Sequence, residues 1–335
     1  MKAVMITRYG SPDVLEVRDL PVPQPKANEI RVRVRAASVG IGDRMIRRFG
    51  TMRARDFNMP ALMFWMARMS IGWSRPRPRT LGAEFSGVVD AVGAEVTRFR
   101  PGDAVFGYPG ITMGAHAEYI VIAEDKLVAH KPEGISHEEA TGIPYGAITA
   151  MSLLRRVTIK PGDRVLVVGA SGSIGSAALQ LARHAGAVVT GVCGTARVDY
   201  VRALGAEHVI DYTRDDPVAG GAQYDLIIDI LGRVPFWRGR RALKPGGVQL
   251  YVSFKMAQVW RALWTARFGR RKAICAISND DPRDMETIRD LMAQGVLRSQ
   301  VDRCFDLEDA ADAHRFIEAG ENRANVVLIP GMAAR

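Results

Sequence analysis

The run Gly169-Ala170-Ser171-Gly172-Ser173-Ile174-Gly175 combines the residue types that a bound phosphate needs. Glycines let the backbone approach a pyrophosphate. A helix that starts there offers free N–H groups and a partial positive charge. The valine-rich residues 163–168 before the turn read as a strand, and 173–185 after it place Ile174, Ala177, Ala178, Leu181 and Ala182 at helical spacing. Strand, glycine turn and helix form the opening unit of a dinucleotide-binding fold. Ala170 stands where the common fingerprint has its first glycine, and a tight turn without a ligand is the competing reading.

NAD-specific folds carry an acid after the second strand, where it bonds the ribose hydroxyls. Here the second strand, 188–192, runs into Cys193-Gly194-Thr195-Ala196-Arg197, with no acid. A hydroxyl and an arginine suit a 2′-phosphate instead. The expected cofactor is therefore NADPH. The plainer reading of Arg197 is a solvated arginine at a helix start.

Strands alternate with helices from 163 to 252, which argues for βαβ units and a parallel sheet. The first 125 residues look β-rich. Glu29-Ile30-Arg31-Val32-Arg33-Val34-Arg35 alternates charged and apolar positions, as a half-buried strand does. Helical patterns at 284–293 and 307–318 and an apolar strand at 325–330 close the chain. At 335 residues the chain is long enough for two domains. Three widely spaced cysteines, Cys193, Cys275 and Cys304, form neither a metal-ligand pattern nor a disulfide framework, which fits a cytoplasmic protein. The N-terminus reads as a first strand and not as a signal peptide. No Ser/His/Asp spacing supports a hydrolase. His116 reads as structural, and the other five histidines sit in surface-like contexts.

Several stretches together resemble the medium-chain dehydrogenase/reductase superfamily, in its quinone oxidoreductase-like branch. They are Val168 to Arg183, Leu81-Gly82-Ala83-Glu84-Phe85-Ser86-Gly87, Arg100-Pro101-Gly102-Asp103, His208-Val209-Ile210-Asp211-Tyr212, Tyr224 to Asp229 and Leu243-Lys244-Pro245-Gly246-Gly247. The resemblance implies an α/β protein: a doubly wound Rossmann sheet, 126–275, plus a β-rich, GroES-like barrel catalytic domain built from 1–125 and 276–335. It implies an active site in the cleft. It also implies that Ser171, Gly172, Ser173, Ile174 and Gly175 hold the pyrophosphate. Thr195, Arg197 and Tyr212 then surround the 2′-phosphate, Leu231, Ser253 and Phe254 lie along the nicotinamide half, and Thr149 and Asn325 approach the cofactor. Zinc enzymes of the superfamily take ligands at the positions of Gly40 and Ala83. Neither residue has a donor for zinc, so no metal is expected. Zinc-free relatives often carry asparagine where Gly40 stands, so substrate preference does not transfer simply.

Without a Lewis acid, hydride addition to a quinone or an α,β-unsaturated carbonyl is easier than addition to a plain ketone. The expected function is NADPH-dependent reduction of such a small molecule. The developing enolate needs a hydrogen-bond donor. Tyr145, in the Gly142-Ile143-Pro144-Tyr145-Gly146 segment that faces the cleft in the family, is a candidate, with packing as the plainer reading. A metal-free alcohol or carbonyl dehydrogenase is the alternative, and a cofactor-binding protein with a polyanion or membrane role is a third reading.

The net charge of +10 is uneven. Residues 51–79 hold six arginines and one acid, Asp56, and 255–272 hold six basic residues and no acid. The Met-, Phe- and Trp-rich residues 52–69 read either as a substrate-covering lid or as a buried helix. In 256–268, Val259, Trp260, Leu263, Trp264 and Phe268 fall near one helical face. A cover or a homodimer interface is preferred there to an anionic membrane surface. No specific nucleic-acid partner is expected.

Overall fold

The computed structural model describes residues 1–77, 79–221 and 223–332, which form two compact units. Pro78, within the basic segment 51–79, and residues 333–335, within the expected catalytic domain, lie outside the described residues. One unit comprises Met1–Met52, Met66–Tyr145 and Asp281–Arg335, the other Arg53–Trp65 and Gly146–Asp280.

The second unit is built on six parallel strands: Arg164–Val168, Val188–Cys193, His208–Asp211, Tyr224–Asp229, Leu243–Tyr251 and Lys272–Cys275. Counted along the chain, their order across the sheet is 3-2-1-4-5-6. This is the Rossmann order, and its reversal between the first and fourth strands opens a crevice at their C-terminal ends. The first strand is central, so both of its faces are covered. Val165, Leu166 and Val167 are fully buried, each contributing about 1.5–3 kcal/mol. Helix Ser173–His184 packs the small residues Ala177, Ala178 and Ala182 inward, which lets it lie close to the sheet.

The first unit is organised by the strand Glu29–Ser38, whose buried residues Ile30, Val32 and Val34 follow the expected alternation. It pairs antiparallel with Phe85–Val92, with Tyr119–Ala123 and with Asn325–Ile329, so both ends of the chain share this sheet. The sheet continues past residue 125, since Val128–His130 pairs with Ala104–Gly107.

Two expectations are corrected. The Met-rich segment forms the helix Ala61–Ile71, but it is not a buried helix. Phe64 and Ile71 are buried, while Leu62, Trp65, Met66 and Met69 face outward. Apolar residues all round this helix erase the periodicity that would tell inside from outside. His314 is buried as well, and not surface-like. Its ring lies 6.3 Å from that of His116, and burial drives its imidazole well below the usual histidine range. Among the described residues no helix is long and apolar enough to cross a membrane.

Candidate active site

In the second unit, the glycine turn closes the first strand and opens the helix Ser173–His184. A Cβ at Gly175 would lie 2.1 Å from the carbonyl oxygen of Gly169, so only glycine lets the helix seat against the turn. A Cβ at Gly172 would meet only that same oxygen, at 3.5 Å, leaving the backbone open on its other side. The Ser173 Oγ is buried and finds no hydrogen-bond partner among the described residues. Such an orphan costs about 1–3 kcal/mol unless a ligand takes it up. An open backbone, a helix N-terminus and an unpaired hydroxyl fit a pyrophosphate.

Other predicted residues gather around this turn. The helix Pro144–Leu154 passes directly over Ser173, because a Cβ at Gly146 would lie 2.3 Å from the Ser173 carbonyl oxygen. Thr149 is buried one turn further along that helix. Leu231 reaches the turn too, its Cγ being 3.2 Å from where a Cβ of Gly169 would stand. Ser253 lies beside Gly232. Phe254 differs: its ring is buried with Phe236, Tyr251 and Ala273, and its N–H donates to the Asn58 carbonyl oxygen at 3.0 Å.

Thr195, Arg197 and Tyr212 sit past the ends of the second and third strands. The Tyr212 N–H donates to the Cys193 carbonyl oxygen, and its hydroxyl lies by Gly194. Register adds a residue that linear order hides. Asp211 pairs with Cys193, so a carboxylate does stand beside the end of the second strand, delivered by the third. It is occupied: it accepts from Thr195 Oγ1 at 2.5 Å and from the Thr213 N–H and hydroxyl, with Arg214 Nε at 3.7 Å. These hydrogen bonds, that of Thr195 first, hold its carboxyl below the usual range. Asp229 is a second residue the sequence reading missed. Fully buried at the end of its strand, it accepts from the N–H groups of Arg233 and Val234 and so shapes the loop that carries Leu231. Burial nevertheless raises its carboxyl. An acid ending an otherwise apolar strand was the available signal.

In the first unit, Asp43 ties Gly40, one position without a zinc donor, to Gly82, the residue before the other, Ala83. This fully buried carboxylate accepts from the Gly40 N–H at 2.8 Å and the Gly82 N–H at 2.7 Å, one bond per oxygen. Beside it, Glu84 accepts from Ser38 Oγ at 2.7 Å and from the Tyr145 N–H at 2.9 Å. The Tyr145 ring packs 5.4 Å from that of Tyr108. His116 donates from Nε2 to the Ser38 carbonyl oxygen, a structural tie. Asn325 donates to Ser299 Oγ at 2.8 Å. Among the described residues, no group of three or more His, Cys, Asp or Glu side chains is placed to hold a metal ion.

Burial pushes the Glu84 carboxyl up to about 7, against the two hydrogen bonds it accepts, and the nearby Asp43 adds to the rise. The folded protein therefore favours protonated Glu84. The stability this contributes is present below about pH 4.5 and is lost as pH rises through about 7, an effect of about 3 kcal/mol at most. Urea midpoints of the wild type should fall across that window beyond what Glu84→Gln shows. Parallel curves would mean that Glu84 does not titrate there.

A Rossmann sheet with a phosphate-fitting turn defines a dinucleotide-binding α/β protein. Residues 26–133 match the family model described as an alcohol dehydrogenase GroES-like domain, and 204–328 the one described as a zinc-binding dehydrogenase. The second match begins after Gly40 and Ala83. A quinone oxidoreductase of Pseudomonas aeruginosa is 29% identical, over 98% of this chain and 99% of that protein. A chloroplastic NADPH-dependent alkenal/one oxidoreductase of Arabidopsis thaliana is 28% identical, over 98% and 80%. The crystal structure of an NAD-dependent alcohol dehydrogenase superposes with a TM-score of 0.80 at 29% identity, covering 99% of this chain and 100% of that one. The chain belongs to the medium-chain dehydrogenase/reductase superfamily, in its quinone oxidoreductase-like branch. It is an oxidoreductase, and its fold is the expected Rossmann sheet with a GroES-like domain.

Proposed function

We propose that this oxidoreductase reduces quinones or α,β-unsaturated carbonyls, uses NADPH, and works without zinc. One observation carries the reading: Gly40 and Ala83 stand where metal-dependent relatives need side-chain donors and offer none, and the Asp43 carboxylate spends both oxygens on the backbone N–H groups of Gly40 and of Gly82, the residue before Ala83. NADPH, when bound, supplies the hydride equivalent. Ser173 Oγ and the N–H groups of the turn bind its pyrophosphate. Arg197 and the Tyr212 hydroxyl take the 2′-phosphate, while Thr195, Thr213 and Arg214 keep Asp211 from repelling it. Leu231, Ser253, Thr149 and Asn325 position the rest, with Phe254 acting from the core behind. On this reading the enzyme is cytoplasmic and a homodimer.

Reduction leaves negative charge on the substrate carbonyl oxygen. Tyr145 is assigned as the donor to that oxygen, which then takes its proton. Glu84 holds the Tyr145 backbone and so fixes where the phenol starts. In an enone-reduction assay, Tyr145→Phe is expected to lower kcat about 10–100-fold with the KM for NADPH unchanged. A kcat within about twofold of wild type would reduce Tyr145 to packing. A metal-free alcohol or carbonyl dehydrogenase is the second reading, favoured by the likeness to the NAD-dependent alcohol dehydrogenase structure.

A further inference from the structure

All five tryptophans of this protein, Trp65, Trp73, Trp237, Trp260 and Trp264, are exposed, from 48% to 66%. Large aromatic side chains are normally among the most buried in a water-soluble chain. Two of the five stand on the helix Met256–Phe268 of the second unit. One side of that helix is anchored: Thr265 is buried, and Val259 and Ala262 pack against Phe236, Tyr251 and Phe254. Its N-terminus is pinned by Lys255, whose Nζ donates to the carbonyl oxygens of Arg55 and Phe57. The outer side presents Met256, Trp260, Leu263, Trp264 and Phe268, all exposed. At 3.6 residues per turn these span about 140° of arc, with Arg267 among them.

The charge on this face is of one sign. Arg261 and Arg267 stand on the helix with the aromatic strip, Arg270, Arg271 and Lys272 follow it in the chain, and no acid occurs from 255 to 272. Among the described residues none of these five forms an ion pair. Arg267 lies over the Phe268 ring at 5.2 Å, and Arg261 over the Phe236 ring at 6.0 Å. A second copy of this chain is a poor occupant, because a two-fold pairing of this face sets like charges against each other. Tryptophan and leucine flanked by arginine and lysine instead match the layered chemistry of a bilayer surface, with apolar side chains at the acyl boundary and cations at anionic headgroups.

We infer that the outer face of helix Met256–Phe268 docks the protein on the surface of an anionic lipid bilayer, with Trp260, Trp264 and Phe268 entering the interface. The full-length protein would be sedimented with vesicles of phosphatidylcholine alone and of phosphatidylcholine with phosphatidylglycerol, at rising salt. Enrichment on the mixed vesicles only, falling with salt and accompanied by a blue shift of tryptophan emission, is the expected result. A Trp260→Ser/Trp264→Ser variant should partition about tenfold more weakly while its circular dichroism matches wild type. An Arg267→Gln/Arg270→Gln variant should flatten the salt dependence. Four results would overturn the inference: no enrichment on mixed vesicles, equal binding by the tryptophan variant, indoles shielded from a soluble quencher without vesicles (a second copy covers them), or loss of turnover of a water-soluble acceptor in that variant (the helix covers the substrate).

Discussion

Replacing Gly172 by alanine is expected to weaken NADPH binding about 10–100-fold while leaving the urea midpoint unchanged. At φ −83° the position suits any residue, and the new methyl has only the Gly169 carbonyl oxygen near it, at an ordinary 3.5 Å. What it would fill is the space a pyrophosphate needs against the backbone. Gly175→Ala supplies the contrast. There the methyl meets the Gly169 oxygen at 2.1 Å and its carbonyl carbon at 2.8 Å, both backbone atoms that cannot swing aside. Helix and turn must separate, so this variant should lose about 2–3 kcal/mol of stability as well as cofactor affinity. Fluorescence titration with NADPH and urea unfolding of both variants would separate the roles. If Gly172→Ala binds NADPH as wild type does, the turn is not the pyrophosphate site.

The second large effect belongs to Asp43. Removing its carboxylate strands two backbone N–H groups, those of Gly40 and Gly82, the latter buried. Each costs about 1–3 kcal/mol when left without an acceptor, so Asp43→Ala should destabilise the first unit by about 2–4 kcal/mol. Asp43→Asn keeps one oxygen and should lose about half as much. Amide hydrogen exchange over residues 38–46 and 80–84 reads the effect locally, which matters because a chain with two units need not unfold in one step. Unchanged exchange in Asp43→Ala would show that the segments are held by something else.

The Rossmann sheet was legible in the sequence because central parallel strands are buried on both faces and read as short valine-rich runs. The turn was legible because its glycines fall at fixed spacing between a strand and a helix. Asp211 was not, because it comes to Cys193 through strand pairing, and linear order reports only that no acid follows the second strand. Asp43 escaped notice for a similar reason. Its partners are backbone groups 3 and 39 positions away, and nothing in a residue's identity announces which N–H it will accept. His314 looked exposed because the charged Asp312 and Arg315 stand near it in the chain, although the fold buries it against His116. On the helix Ala61–Ile71, apolar residues on every side left no periodicity from which to tell a lid from a core element.

The most direct measurement follows NADPH and NADH oxidation in parallel, in metal-free buffer with chelator, offering a quinone, an enone, an enal and a simple ketone as acceptors. The expected result is turnover of the quinone or the enone, little turnover of the ketone, and a KM for NADPH at least about tenfold below that for NADH, the margin that bonds from Arg197 to a 2′-phosphate provide. Preferred turnover of the ketone, equal KM values for the two nucleotides, or activity that appears only when zinc is added would contradict it.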